Sequence, residues 1–429
     1  MAHGASDQRF NVLVYLDDGV GEAAAVPYYG ETQDGIIAYL KSVPDLGDDL
    51  FDMDNILARR PAGSRAARSA IDEALHDLWG KKLGQPLYKL FGLNPNNLPL
   101  TSFTIGMDEP AVMAEQAKAS GHPVLKIKLG SERDEEMVAA IRKSTNAKLR
   151  VDANAGWSRE QALQIIPRLA DYEVEFIEQP LAVDDVEGYF WLKEKLKAQK
   201  IKTPIFADET AKNSHDVAKL AGAIDGVVVK TMKSEGIREA LRMIHTARAH
   251  DMQIMLSCMV ESSVGVTAAA HLAPLCDYAD LDGPLLIKND PYTGLKYDGA
   301  KMSLPNGAGL GVSEEVILNF STVQNLFQRP SKYCEIRTTV KNRRSPYLWA
   351  FFITTHGRST SPTPFALSPL FSQRFFNFFE MIFPMDMPLK LELHFCCQYL
   401  FNIFISCLFD CSVYGFGGLQ GQCGGNTRG

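Results

Sequence analysis

Several ordinary signals are missing from this chain of 429 residues. No apolar run approaches the roughly 20 residues that a membrane-spanning helix needs. The opening MAHGASDQRF has no basic segment followed by an apolar one, so it does not read as a secretory signal. Basic residues are not in excess. Against 51 Asp and Glu stand 44 Lys and Arg, a net charge of −7. That argues against a nucleic-acid partner, which would want a basic face. No GxGxxG follows the first strand candidate to support an open dinucleotide-binding sheet. Before residue 320 there are two cysteines, Cys258 and Cys276, few enough to fit a reducing compartment. This implies a cytoplasmic location, unless a targeting peptide precedes the start seen here.

The averages conceal a break near residue 320. Residues 321–429 hold 10 Lys and Arg but 5 Asp and Glu, whereas residues 1–320 carry a balance of −12. The last segment also holds 15 of the 23 Phe and 6 of the 8 Cys. Stretches such as FALSPLFSQRFFNFFEMIF and LHFCCQYLFNIFISCLFDC keep neither a 3.6-residue nor a 2-residue period. Phe395–Phe409 is too short and too polar for a membrane span. The cysteines lack paired CxxC spacing, and no His set completes a zinc site. Residues 321–429 are therefore expected to be an irregular, disordered Phe/Ser/Cys-rich tail rather than an evolved domain; an anchoring or interaction tail is the alternative. Exposed Phe clusters of this kind predict aggregation.

The body is more orderly. Residues 1–98 read as a small α+β domain. RFNVLVYLDD and GVGEAAAVPYYG form a strand pair with Asp-Asp-Gly at the turn, followed by helices over 32–43 and 64–83, the second stopped by Gly84. Residues 99–320 repeat a different unit, an apolar β-branched run that ends on a polar residue and is followed by a helical segment. The strand candidates lie at 101–106, 124–130, 149–154, 174–180, 204–209, 226–230, 253–258 and 278–282. Near-continuous apolar strands alternating with helices are buried and parallel. So many units in about 200 residues suggest an α/β fold of the (β/α)7β barrel type, a modified TIM barrel, rather than an open doubly wound sheet.

In such a barrel the C-terminal strand ends share the face where chemistry sits. The residues there are Lys126, Lys128, Asp152, Glu178, Asp208, Lys230, Asp280 and Asp282. Charges at the ends of buried strands are costly unless paired or metal-bound. Asp152, Glu178 and Asp208 end three successive strands, and neighbouring strands lie about 4.8 Å apart. The three can converge on one point. An all-oxygen set favours Mg²⁺ or Mn²⁺ over Zn²⁺. The plainer alternative is three helix caps or surface ion pairs. Lys126 and Lys128 alternate and so share one face of their strand, while Lys230 ends the strand across the barrel. Two opposed lysines beside a metal suit proton transfer on either face of one carbon, with the metal stabilising an enediolate. An exposed edge strand is the plainer reading of KxK alone.

Lys126-Ile127-Lys128, VDANAGW, IEQP, ADE and VVVKTMKSEGI, in this order and spanning about residues 10–317, resemble the enolase superfamily, in its muconate-lactonizing-enzyme-like subgroup. The resemblance implies that Asp152, Glu178 and Asp208 bind Mg²⁺, that Lys128 and Lys230 are the acid/base pair, and that Lys126 assists electrostatically beside the substrate. Asn154, Gln179 and Glu209 would support the ligands from behind. LSCMVESSVGVTAAAHLA followed by DYADLDGPLL resembles dipeptide epimerases, in which an acidic pair, here Asp280 and Asp282, receives the dipeptide's α-ammonium. Two carboxylates on one strand face suit a cation. The implied reaction is inversion at the α-carbon of the dipeptide's C-terminal residue. Other subgroup activities remain open: N-acylamino-acid racemase, o-succinylbenzoate synthase and muconate cycloisomerase. Members are commonly symmetric homo-oligomers. The family's capping domain ordinarily begins earlier, with a strand and a mobile loop that closes over the substrate. Together with the tail, this start reads as an incomplete or misassembled gene model, whose product would be inactive if the missing loop is needed.

Overall fold

The computed structural model describes residues 9–47 and 49–315, and the backbone of Cys334–Thr338. The N-terminal cap opens with a hairpin. β1 (Val12–Leu16) and β2 (Gly19–Ala23) run antiparallel with Val12 opposite Ala23. The turn is as read from sequence, and Asp17 takes a left-handed φ of 50°, which Asp tolerates better than most residues. α1 (Gln33–Ser42) starts where Thr32 Oγ1 accepts the Gly35 N–H at 3.1 Å. A short α2 (Met53–Arg59) precedes α3 (Arg65–Leu83), which is capped by Ser64 and ended by Gly84 at φ 64°. α3 lies directly on β2. A β-carbon at Gly21 would stand 2.0 Å from the Ala70 carbonyl oxygen, so only glycine permits this approach. Val12, Val14, Leu16, Ile36, Ile56, Ile71 and Leu75 fill the space between the hairpin and the helices. Burial of each such side chain contributes about 1.5–3 kcal/mol.

The other edge of β1 pairs antiparallel with the strand Cys334–Thr338. Apart from this strand, the tail expected over 321–429 lies outside the described residues.

Eight parallel strands follow in strict sequence order: β3 (Phe103–Ile105), β4 (Val124–Lys128), β5 (Lys148–Asp152), β6 (Val174–Glu178), β7 (Ile205–Ala207), β8 (Gly226–Val229), β9 (Gln253–Ser257) and β10 (Tyr278–Asp280). The sheet closes on itself, because Thr101 bridges Ala279 and the Ser102 N–H donates to the Ala279 carbonyl at 3.0 Å. Helices follow the first seven strands, and a 3-10 turn (Gly283–Leu286) follows the last, which gives a (β/α)7β barrel. Each helix buries one stripe. In Ile237–Ala249 the buried residues are Ile237, Ala240, Met243, Ile244 and Ala247, a helical period facing the strands. Inside the barrel, one layer below the charged strand ends, Arg150 lies over the rings of Tyr278 and Phe176 and donates to the Ala279 carbonyl at 2.8 Å.

Carboxylates dock the cap onto the barrel. Glu22 of β2 accepts from Asn11 Nδ2 (2.8 Å), Ser262 Oγ (2.6 Å), and the backbone N–H groups of Ser262 (3.0 Å) and Gly265 (3.0 Å). Asp72 of α3 accepts from the Ile237 N–H at 2.6 Å. Glu73 and Glu261 are buried nearby, and Glu261 Oε2 has no hydrogen-bond partner. Burial, then the charge of Glu22, pushes Glu261 up to about 8.

Two outcomes follow from this packing. Gly21→Ala is expected to lower the unfolding free energy by about 1–3 kcal/mol through overpacking, read by chemical denaturation. Glu261 holds its proton in the folded state at pH values where the unfolded chain has lost it. The stability it contributes is therefore complete below about pH 4.5 and lost as pH rises toward about 8. Glu261→Gln is expected to flatten that decline, by up to roughly 1.4 kcal/mol per pH unit.

Candidate active site

All eight charged residues read from the strand ends lie at the C-terminal mouth of the barrel. Lys126 and Lys128 alternate on β4 and both enter the interior, with their Nζ atoms 3.3 and 2.6 Å from Asp152 Oδ2. Lys126 is the deeper of the two. It donates to Glu178 Oε1 (3.0 Å) and to Asp280 Oδ2 (2.9 Å). Burial works against its charge, but Asp280, Glu178 and Asp152 together hold its proton well above the ordinary lysine range. Lys230 follows β8 and donates to Asp208 Oδ2 at 2.5 Å. Burial disfavours its charge too, and Asp208 more than restores it. In a closed eight-strand barrel β4 and β8 stand four strands apart, so Lys128 and Lys230 arrive from opposite walls.

The three carboxylates occupy neighbouring strand ends. Asp152 stands opposite Glu178 in the β5–β6 register, and Asp208 follows β7. All three are fully buried. Burial raises Asp152, but Lys128 and Lys126 hold it well below the carboxylate range; Lys230 and Lys233 do the same for Asp208. Glu178 goes the other way, raised by burial and by the charge of Asp152. Its Oε2 lies 2.8 Å from Lys126 Nζ yet accepts no hydrogen bond. None of the three caps a helix. The caps after these strands are Ser158, Asp185 and Asn213. Nor do the carboxylates meet at a single point. Among the described residues no three His, Cys, Asp or Glu side chains gather as a metal site. Lysine ammonium groups match them instead, because unpaired buried anions at this spacing are costly.

Of the three residues expected to support the ligands, Gln179 and Asn154 hydrogen-bond at the carboxylate-bearing segments, whereas Glu209 lines the space between cap and barrel. Gln179, at a left-handed φ of 40°, accepts from the Asp208 N–H (2.9 Å) and donates to Thr210 Oγ1 (2.9 Å). Asn154, at φ 47°, donates its backbone N–H to Asp152 Oδ1 at 3.0 Å. Left-handed backbone at non-glycine residues costs on the order of 1 kcal/mol or more and clusters where geometry is functional. Glu209 is buried with Oε2 unpartnered, and burial plus the charge of Asp208 pushes it up to about 7.

The acidic pair is less symmetric than two residues on one strand face. β10 ends at Asp280, and Asp282 heads the 3-10 turn instead. Asp280 is fully engaged by Ser102 Oγ (2.6 Å), Ser257 Oγ (2.9 Å) and Lys126. Asp282 accepts from the Thr104 N–H at 2.8 Å, and burial plus the charge of Asp280 pushes it up to about 6.

Two features escaped the sequence reading. Lys233 is wholly buried on Asp208; the KTMK spacing was visible, but nothing in a turn says that both lysines point inward. A cleft of about 310 Å³ opens between the cap and the barrel, lined by Val26, Tyr28 and Tyr29 from one side and Glu209, Lys212 and Met259 from the other. A larger groove of about 490 Å³, on the cap around Phe51, contains none of the predicted residues.

Known proteins resemble this chain in sequence and fold. Residues 111–315 match the enolase C-terminal domain-like family, and residues 1–92 match the mandelate racemase/muconate lactonizing enzyme N-terminal domain. The chain belongs to the mandelate racemase/muconate lactonizing enzyme family. Within this family it is similar to the L-Ala-D/L-Glu epimerase of Bacteroides thetaiotaomicron, 41% identical over 301 residues, covering 68% of this chain and 77% of that protein. It resembles the structure of the dipeptide epimerase from Cytophaga hutchinsonii in complex with Mg and D-Ala-L-Val, with a TM-score of 0.67 and 27% identity over 72% of this chain and 96% of that one. It also resembles the Enterococcus faecalis dipeptide epimerase in complex with Mg and L-Leu-L-Tyr, with a TM-score of 0.65 and 32% identity over 72% and 99%.

Lys126→Met would leave the Glu178, Asp152 and Asp280 carboxylates without their shared cation. The expected loss is about 3–5 kcal/mol of stability, read by thermal or denaturant unfolding.

Proposed function

We propose that the protein is an isomerase that epimerises dipeptides at the α-carbon of the C-terminal residue, with Mg²⁺ as cofactor. The observation that carries this is a pair of lysines, Lys128 and Lys230, reaching from opposite barrel walls, each resting on one member of a carboxylate set. The names and bound dipeptides of its relatives support the same substrate class.

Asp152, Glu178 and Asp208 would hold the metal. The fit rests on the donor chemistry: three carboxylates, an all-oxygen set, at neighbouring strand ends, held in this structure by lysine ammonium groups, with Glu178 Oε2 in an ion pair with Lys126 but in no hydrogen bond. Three hard oxygens suit Mg²⁺, and Mn²⁺ takes the same donors. When bound, the metal supplies Lewis-acid stabilisation of charge developing on the substrate carboxylate. The protein's own groups do the rest. One lysine, as the neutral amine, takes the α-proton at Nζ; the other, as the ammonium, returns a proton to the opposite face. The carbon is inverted with no net gain or loss of protons. Lys126, surrounded by three carboxylates, keeps its charge and supplies a fixed positive field. Asp282 receives the substrate ammonium more readily than Asp280, whose oxygens the protein already occupies. The cleft beside Tyr29 and Met259 accommodates the side chain. Cys258 and Cys276 are free thiols, in keeping with a cytoplasmic enzyme.

The test is proton exchange. The protein is incubated with Mg²⁺ and L-Ala-L-Glu in D₂O, and NMR follows the α-hydrogen of the C-terminal residue. Metal-dependent exchange with inversion is expected, falling by about 10²–10⁴ in Lys128→Ala and in Lys230→Ala. Asp282→Asn is expected to raise KM more than it lowers kcat. Exchange that persists unchanged in both lysine variants would remove the two-lysine mechanism.

A further inference from the structure

Lys230 and Lys233 divide Asp208 between them. Lys230 takes Oδ2, and Lys233 takes Oδ1 at 2.6 Å. Lys233 also donates to the backbone carbonyls of Asp208 (2.6 Å) and Val228 (2.9 Å). An ammonium has three N–H bonds, so all three donors of Lys233 are spent inside the protein. Its side chain is wholly buried and none of it is left for a substrate. Its backbone is held as firmly. The Lys233 N–H donates to the Lys230 carbonyl at 3.1 Å, and the Lys233 carbonyl accepts from Arg65 of the cap at 3.3 Å.

We propose that Lys233 is a positioning residue that anchors Asp208, so that this carboxylate keeps its orientation when Lys230 leaves it to exchange a proton with the substrate. The inference rests on the metal and lysine roles proposed above. Lys230 cannot stay on Asp208 Oδ2 and also reach a substrate carbon. Each time it moves, Asp208 loses one of its two side-chain partners. Lys233 keeps the other, and its bonds to the two backbone carbonyls tie the end of β7 to β8 throughout. A simple counter-charge would act differently. Removing a nearby cation would strengthen the attraction of Asp208 for a divalent metal, whereas removing an anchor would weaken it. The sign of the change separates the two roles.

The experiment measures Mn²⁺ binding to the full-length chain by loss of the free-ion EPR signal. It compares wild type with Lys233→Met, Lys233→Gln, Asp208→Asn and the Lys233→Met/Asp208→Asn pair, with folding checked by circular dichroism. Residues that orient a metal ligand typically contribute 10–100-fold in affinity, and a loss of that size is expected in Lys233→Met. Lys233→Gln, which can still donate two hydrogen bonds, is expected to fall between Lys233→Met and wild type, and it carries the test if Lys233→Met does not fold. On top of Asp208→Asn, Lys233→Met should cost little more, because both changes act on one ligand. In the exchange assay kcat should fall more than KM rises. Folded Lys233 variants that bind Mn²⁺ as tightly as wild type, or more tightly, would overturn the inference while leaving the metal assignment standing. A wild-type chain that binds no Mn²⁺ would overturn both.

Discussion

Charge buried away from the surface governs the mouth of this barrel. Lys126, Lys128, Lys230 and Lys233 share it with Asp152, Glu178, Asp208, Asp280 and Asp282, and most of these side chains are almost entirely inaccessible. Moving such ions out of water costs several kcal/mol each unless each is matched. Every lysine therefore spans two walls. Lys126 links β4 to the ends of β6 and β10, Lys128 links β4 to β5, and Lys230 and Lys233 link the segment after β8 to the end of β7. These cross-links orient more than they stabilise. The stability comes from the layer behind them, where Ile127, Val151, Ile177, Val229 and Leu256 pack against the surrounding helices.

The same constraint fixes the cap. Two barrel helices, Ile237–Ala249 and Ser263–Ala270, begin with backbone N–H groups that need acceptors. The cap supplies them from outside: Asp72 for the first helix and Glu22 for the second. A carboxylate at a helix N-terminus also meets the positive end of the helix dipole. These helices follow β8 and β9, and the first is entered through the turn that carries Lys230 and Lys233. The cap thus holds the start of the helix into which the lysine-bearing turn leads. Arg65 and Arg68, on Glu235 in that same turn, reinforce it.

Much of this could be read from the chain. The eight strands were visible because each is an apolar β-branched run closed by a charged or polar residue, a pattern that buried parallel strands impose. The cap helices were visible through Thr32, Ser64 and Gly84, whose side chains or backbone freedom mark the ends. α2 was not, being only seven residues long and without a side-chain cap. The inequality of Asp280 and Asp282 was hidden for a different reason. It depends on Ser102, 178 residues before Asp280, and on the strand ending two residues before Asp282. Lys233 was hidden because its partners, Asp208 and Val228, meet it only through the fold. Local pattern specifies elements; it does not specify which of two like residues is already engaged.

That distinction separates the lysines by task. On the β4 wall, Lys126 is surrounded by three carboxylates and Lys128 touches one. On the β8 side, Lys233 has every donor spent, while Lys230 rests on a single carboxylate oxygen. Each wall thus pairs a lysine held by several partners with one that rests on a single carboxylate. The less engaged member is the one that can swing toward a substrate, since a side chain whose donors are all held by the protein must break several bonds to move. The two lysines proposed to handle the proton, Lys128 and Lys230, are the less engaged members. In that proposal their neighbours would stay on the carboxylates, so that neither proton transfer would strand a buried anion.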